Sequence, residues 1–174
     1  MKIPTHKESL KLLKKYGIEG KVLDHCLIVN KIALFLGKKL KEKGKELNLK
    51  LLDAASLLHD IGKLRSDKTG KDHLEEGVNI LNEEGFPEVA VLIGKHRLDK
   101  ILNNSLITWE EKIIYYSDRR GGLNLMLCNE RFKDMLKRYP NMKEIIKKVK
   151  PKLKKLEKEI FDILKIDKNL ESLK

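Results

Sequence analysis

The spacing of apolar residues constrains this fold most, because such residues recur every three or four positions through most of the chain. Residues 21–36 show the pattern in Val22, Leu23, Cys26, Val29, Ala33 and Leu36. Residues 142–165 repeat it in Ile145, Ile146, Val149, Leu153, Leu156, Ile160 and Leu164. This spacing gives a helix one apolar face, whereas a half-buried strand alternates apolar and polar residues. No stretch alternates convincingly, so we predict an all-α fold.

Local signals divide the chain into separate helices. Thr5-x-x-Glu8 and Thr108-x-x-Glu111 have the form of capping boxes, which begin helices. The predicted helices cover residues 5–17, 21–36, 48–60, 73–84, 87–95, 108–118, 129–139 and 142–165. The polar segment 65–71, which contains Gly70, is predicted to be a loop. Pro151 either kinks the last helix or marks its start.

The composition is that of one folded domain of 174 residues, with 41% hydrophobic and 37% charged residues. Cys26 and Cys128 lie far apart without CxxC spacing, which argues against a disulfide framework or a zinc ribbon and favours the cytoplasm. No apolar stretch is long enough for a membrane span or a signal peptide, so we expect no membrane partner. The absence of glutamine and the wealth of lysine and glutamate suggest a thermophilic source.

Positive charge is concentrated at the C-terminal end. The formal net charge is +12, and residues 131–174 hold 15 Lys or Arg against 7 Asp or Glu. Two explanations stay open: a solvated lysine-rich face, or a surface that attracts nucleic acid. The low aromatic content of 5% and the lack of a nucleic-acid-binding motif count against the second explanation.

The segment His59-Asp60-Ile61-Gly62-Lys63 supplies the first candidate metal ligands. A neutral imidazole and a carboxylate both bind divalent metals. Neighbouring residues point about 100° apart on a helix, so His59 and Asp60 share a metal only if the helix ends there. Gly62 permits such a turn at low steric cost. The alternative is an ordinary helix end, where the dipole favours a histidine.

Four further residues favour a metal site over an ordinary helix end: His25, His73, His96 and Asp118. Each has a structural explanation by itself. His25 fits a half-buried polar residue and His73 a solvated helix start. His96 fits a helix end, where the dipole favours a histidine, and Asp118 fits a cap of the following segment. Together with the HDIGK segment, the order His, His-Asp, His, His, Asp resembles the HD superfamily of metal-dependent phosphohydrolases, of the HDIG type. The resemblance covers roughly residues 20–120.

The resemblance implies a single HD-domain helical bundle. Its expected parts are an N-terminal helix at 1–19, the catalytic core at 20–122 and a C-terminal helical extension at 123–174. The extension either packs on the core or forms a homodimer through its apolar stripe. The implied ligands of a first metal are His25, His59, Asp60 and Asp118. Asp60 would bridge to a second metal held by His73 and His96.

The implied cofactors are two divalent ions, with Fe or Mn favoured and Ni, Co, Zn or Mg also compatible. The implied function is hydrolysis of a nucleotide or related small phosphoester by a metal-activated water, with Asp60 and Lys63 as catalytic residues. Arg97 and Arg119 are candidates for binding substrate phosphate. The alternatives are a phosphodiesterase acting on cyclic nucleotides or RNA ends, and a non-catalytic helical protein that binds nucleic acid or a partner through its basic C-terminus.

Overall fold

The structure is a computed structural model that describes residues 2–173. Within that range it contains nine α-helices and no β-strand, which confirms the all-α prediction. The α-helices are α1 (His6–Lys15), α2 (Gly20–Glu42), α3 (Leu49–Leu58), α4 (Lys63–Thr69), α5 (His73–Glu83), α6 (Pro87–Ile93), α7 (Trp109–Asp118), α8 (Cys128–Arg138) and α9 (Lys143–Leu164). A 3₁₀ helix, Leu98–Asn103, connects α6 to α7 and was not predicted.

Both predicted capping boxes begin helices. At α1 the Thr5 hydroxyl accepts a hydrogen bond from the Glu8 N–H at 3.3 Å, and the Glu8 carboxylate accepts one from the Thr5 N–H at 2.7 Å. At α7 the Glu111 carboxylate accepts hydrogen bonds from the backbone N–H groups of Ile107 and Thr108. These bonds satisfy helix N–H groups that have no partner within the helix.

The prediction of a loop at 65–71 is wrong over most of its length, because residues Lys63–Thr69 form α4. Arg65 stabilises this short helix through ion pairs with Glu76 at 2.9 Å and Glu83 at 3.0 Å, both on α5. The helix ends at Gly70, whose φ of 71° lies in the left-handed region that glycine adopts without strain. Contacts with α5, rather than local apolar spacing, therefore decide the conformation of this segment.

The helices enclose one continuous hydrophobic core. Helix α2 packs against α3 and α7, and α5 packs against α6. Helix α9 runs through Pro151 and buries one stripe in the same core, formed by Ile146, Val149, Leu153, Leu156, Ile160 and Leu164. The stripe is thus covered by the chain itself and does not offer a surface to a second copy. Among residues 2–173, no helix has both the length and the apolar character that crossing a membrane requires.

Candidate metal centre

The six predicted ligands lie together, because several helices begin or end at the same place. His25 lies near the start of α2, and Asp118 is the last residue of α7. His59 and Asp60 directly follow α3, His73 is the first residue of α5, and His96 follows α6. All but His73 are largely buried, so the centre is open to solvent on the side of His73, whose side chain is 37% exposed.

One group of three consists of His25, His59 and Asp118, whose candidate ligand atoms all lie within 4.8 Å of one another. The Nε2 atoms of His25 and His59 are 3.2 Å apart. The Oδ1 atom of Asp118 lies 3.2 Å from His25 Nε2 and 4.0 Å from His59 Nε2.

A second group of three consists of Asp60, His73 and His96. The Oδ1 atom of Asp60 lies 3.7 Å from His73 Nε2 and 3.9 Å from His96 Nε2. Its other oxygen, Oδ2, lies 3.4 Å from the Nε2 atoms of both His25 and His59. One carboxylate therefore faces both groups with a different oxygen toward each.

These distances fit metal ligation. Two ligand atoms that each lie about 2.1 Å from a first-row metal ion are about 3.0–3.4 Å apart in octahedral or tetrahedral geometry. The distances given above run from 3.2 to 4.0 Å, and no two candidate ligand atoms within either group are more than 4.8 Å apart. Small side-chain movements would bring each group onto one ion, so the residues present fit two divalent cations.

Backbone carbonyls fix the orientation of two imidazoles. The Nδ1 atom of His59 donates to the Ser56 carbonyl at 2.8 Å, and that of His96 donates to the Ile93 carbonyl at 2.7 Å. Both acceptors lie three residues earlier, at a helix end where carbonyls lack an intrahelical partner. The Nε2 lone pairs therefore point into the centre, as metal ligation requires. The sequence signal for this arrangement was a histidine just beyond the end of an apolar helix.

Gly62 allows the start of α4 to pack closely against α5. A Cβ atom at Gly62 would lie 2.1 Å from the His73 carbonyl oxygen and 2.4 Å from the Gly77 nitrogen. Its φ is −79°, so the position does not need glycine for its backbone conformation. The missing side chain instead lets the start of α4 touch the first turns of α5, which brings His73 to Asp60.

The electrostatics keep both carboxylates ionised. Burial by itself raises the pKa of Asp60, but His59, Lys63 and His25 outweigh burial and hold that pKa well below its usual range. Burial by itself also raises the pKa of Asp118, but Arg119 and His25 outweigh burial and hold that pKa well below its usual range. The two negative charges are therefore available to a cation at neutral pH.

The pKa values of the three buried imidazoles shift in different directions. Burial, reinforced by repulsion from His59, lowers the pKa of His96 to about 3. Burial also lowers the pKa of His25, although Asp118 opposes the effect. At His59 burial by itself lowers the pKa, but Asp60, Asp118 and the Ser56 carbonyl together outweigh burial and raise it. His25 and His96 are thus neutral at pH 7, the form in which an imidazole binds a metal.

Three basic residues were predicted to act at this centre, and the structure places them differently. The Lys63 ammonium lies 2.6 Å from Asp60 Oδ2, and its side chain is 39% exposed. Arg119 is buried and donates to Asp118 at 2.6 Å and to the His96 carbonyl at 2.7 Å. Arg97 is exposed and pairs with Asp99 at 2.6 Å. Arg119 therefore braces two candidate ligands, a role that its position next to Asp118 did not reveal.

Comparison with known proteins gives a consistent result. The family model described as HD domain matches residues 22–121. The chain is 32% identical to an uncharacterized protein of Methanocaldococcus jannaschii, with 80% of this chain and 91% of that protein covered. It is 34% identical to a tRNA (cytidine(56)-2'-O)-methyltransferase of Thermoplasma volcanium, with 54% of this chain but only 26% of that protein covered. No solved structure matches the chain.

Proposed function

This chain belongs to the HD domain family, and on that premise we propose that it is a phosphohydrolase acting on a nucleotide or a related small phosphoester. Membership of the family implies a metal-dependent hydrolase. The observation that carries the finer proposal is the Asp60 carboxylate, which faces two groups of three candidate ligands with its two oxygens. Sites that bind two metals in this way suit phosphoester hydrolysis.

In the proposal, His25, His59, Asp60 and Asp118 hold one divalent ion, and Asp60, His73 and His96 hold the other. Metal ions bound there supply Lewis-acid charge that stabilises the negative charge of a phosphoester's transition state. The histidine-rich set with two carboxylates suits Fe or Mn best, and Ni, Co, Zn or Mg remain compatible.

The open side of the centre defines where substrate enters. The side chains of His73 and Lys63 are 37% and 39% exposed, whereas the other members of the centre are largely buried. A phosphate group entering there can contact the Lys63 ammonium. We therefore propose that the Lys63 ammonium stabilises negative charge on a phosphoryl oxygen. The ion pair with Asp60 holds the Lys63 side chain in place.

The two arginines take separate roles in the proposal. Arg119 is a positioning residue, because its guanidinium is already engaged by Asp118 and the His96 carbonyl. Arg97 keeps the role of a substrate contact, since its exposed guanidinium can exchange Asp99 for a substrate phosphate.

A second candidate is hydrolysis of phosphoesters at RNA ends. It is favoured by the relative named as a tRNA methyltransferase, which resembles this chain over 95 residues. The same centre would serve, because a terminal RNA phosphate and a nucleotide phosphate present the same group to Lys63.

The test combines metal analysis with a substrate panel. Protein purified without chelator is assayed for metal by elemental analysis and then incubated with nucleoside monophosphates, cyclic nucleotides and RNA carrying terminal phosphates. We expect about two divalent ions per chain and turnover of nucleotides. Preferential turnover of the RNA would support the second candidate.

Two outcomes would contradict the proposal. One metal per chain would remove His73 and His96 from the ligand set. No hydrolysis after addition of Mn or Fe, with metal nevertheless bound, would favour the non-catalytic alternative.

A further inference from the structure

Helix α9 carries a straight row of lysines beside its buried stripe. The row consists of Lys143, Lys147, Lys150, Lys154 and Lys158, at intervals of four, three, four and four residues. These intervals place the five side chains on one side of the helix over about 22 Å, because each residue adds about 1.5 Å. All five residues are exposed, and no acidic residue interrupts the row.

The row is unfavourable for the helix that carries it. Each neighbouring pair consists of like charges three or four residues apart, and such a pair destabilises a helix by about 0.2–0.5 kcal/mol. Lys143 also lies at the N-terminal end of α9, where the helix dipole disfavours a cation. Folding alone therefore does not account for a row of this kind.

Carboxylates leave most of the row uncompensated. Two acidic residues later in α9 have partners outside the row: Glu157 accepts from Tyr116 and Glu159 pairs with Lys112. Asp162 pairs with Lys158, the last lysine of the row. Within residues 2–173, no ion pair reaches Lys143, Lys147, Lys150 or Lys154, although Lys150 lies over the Phe132 ring at 5.8 Å. A partner with regularly spaced negative charges would complement these four ammonium groups.

The surroundings of the row favour nucleic acid over an anionic membrane. A helix that binds a membrane surface presents apolar side chains beside its cations. Here the large apolar side chains of the stripe are buried. The exposed positions on the other side of the row are Glu144, Lys148, Pro151, Lys155 and Glu159, and none of them is a large apolar residue. One straight row of cations follows a single phosphate backbone, and most single-stranded nucleic acid in cells is RNA.

We propose that the lysine row of α9 binds the phosphate backbone of single-stranded RNA, independently of the metal centre. The binding is electrostatic and tolerant of sequence, because the row offers no aromatic platform and only point charges. This surface is separate from the residues assigned to hydrolysis, so it adds a binding activity to the proposed function.

The experiment compares two triple variants of the full chain. Lys143→Ala, Lys147→Ala and Lys154→Ala remove three charges from the row and leave the Lys150 contact with Phe132 intact. Lys7→Ala, Lys11→Ala and Lys14→Ala remove three exposed charges from α1 and serve as the matched control. Binding is measured with an unstructured RNA of about 20 nucleotides, which is longer than the row. The measurement is made in the presence of a chelator over a range of salt concentrations.

The original protein is expected to show a slope of about −2.8 in log affinity against log salt, since each of the four uncompensated lysines contributes about −0.7. The α9 variant should show a slope of about −0.7 and bind about 100-fold more weakly at 0.1 M salt. The control should lose much less affinity. Thermal unfolding should show the α9 variant to be at least as stable as the original protein, which separates lost binding from lost folding.

Three results would overturn the proposal. Equal weakening in the α1 control would mean that net charge, not the row, attracts RNA. Stronger binding to vesicles rich in anionic lipid, or to DNA of the same sequence, would assign the row to another partner. An unchanged α9 variant would remove the row from any role in binding. Because chelator is present throughout, none of these results depends on whether the metal centre hydrolyses phosphoesters.

Discussion

Asp60 is the residue that joins the two groups of candidate ligands, since one oxygen faces His25 and His59 and the other faces His73 and His96. The variant Asp60→Asn keeps the shape but removes the charge, so metal affinity should fall by at least about 100-fold and hydrolysis should be lost. Elemental analysis and a phosphatase assay measure both, and circular dichroism should show unchanged helix content. Asp67→Asn on α4, at an exposed aspartate, is the control. An active Asp60→Asn protein would contradict the site assignment.

Lys63 differs from the ligands because its cation lies at the open side of the centre. Replacement by glutamine should leave the metal bound but lower kcat by about 10²–10³-fold, the usual cost of removing one group that stabilises developing charge. Lys68→Gln, on the same helix and exposed, should have no effect. If Lys63→Gln turned over substrate normally, Lys63 would have no place in the mechanism.

Arg119 and Arg97 are both arginines that follow a candidate ligand, yet their contacts predict opposite phenotypes. Arg119→Lys loses the forked contact with Asp118 and the His96 carbonyl, so metal affinity should fall about 10–100-fold. Arg97→Lys should leave metal affinity unchanged and raise KM. Metal titrations and steady-state kinetics on both variants separate the two roles, and a reversed pattern would exchange them.

At the scale of the element, α7 presents Asp118 at one end and is fixed at the other by Glu111. Burial by itself raises the pKa of Glu111, but the Lys95 ammonium and the backbone N–H groups of Ile107 and Thr108 outweigh it and lower the pKa. A lowered folded-state pKa means that the carboxylate stabilises the fold above the ordinary glutamate pKa of about 4.3. That stabilisation is lost as the pH falls through the folded-state value.

Glu111→Gln should therefore lower the free energy of unfolding by about 1 kcal/mol at neutral pH, because its hydrogen bonds lose their ionic character. The difference from the original protein should shrink as the solution is acidified, since a protonated glutamate resembles glutamine. Urea titrations of both proteins across that pH range measure the effect. A difference that stayed constant with pH would rule out the ionised carboxylate as its source.

At the scale of the whole molecule, α9 is part of the core. Its six buried side chains each contribute about 1.5–3 kcal/mol by burial, a total comparable with the whole stability of a domain, about 5–15 kcal/mol. A chain that ends before α9 should therefore fail to fold cooperatively, which circular dichroism and urea titration would show. A truncated protein that unfolded cooperatively would make α9 a separable extension. The division at residue 122 remains a prediction.

The amino-acid sequence by itself determined most of the helices, α4 excepted, and the chemistry of the candidate ligands. Helical spacing and capping boxes act over a few residues, so Thr5 and Thr108 began helices where they were expected. The types and order of His25, His59, Asp60, His73, His96 and Asp118 were enough to suggest the family, which the comparison confirmed.

The tertiary structure alone decided how these parts act together. The α4 helix depends on Arg65 reaching Glu76 and Glu83, and Arg119 braces ligands that come from two different helices. Likewise, the approach of His73 to Asp60 depends on Gly62 touching α5. Local patterns encode the conformation of a few neighbouring residues, whereas distances between residues far apart in sequence are set by how the helices pack.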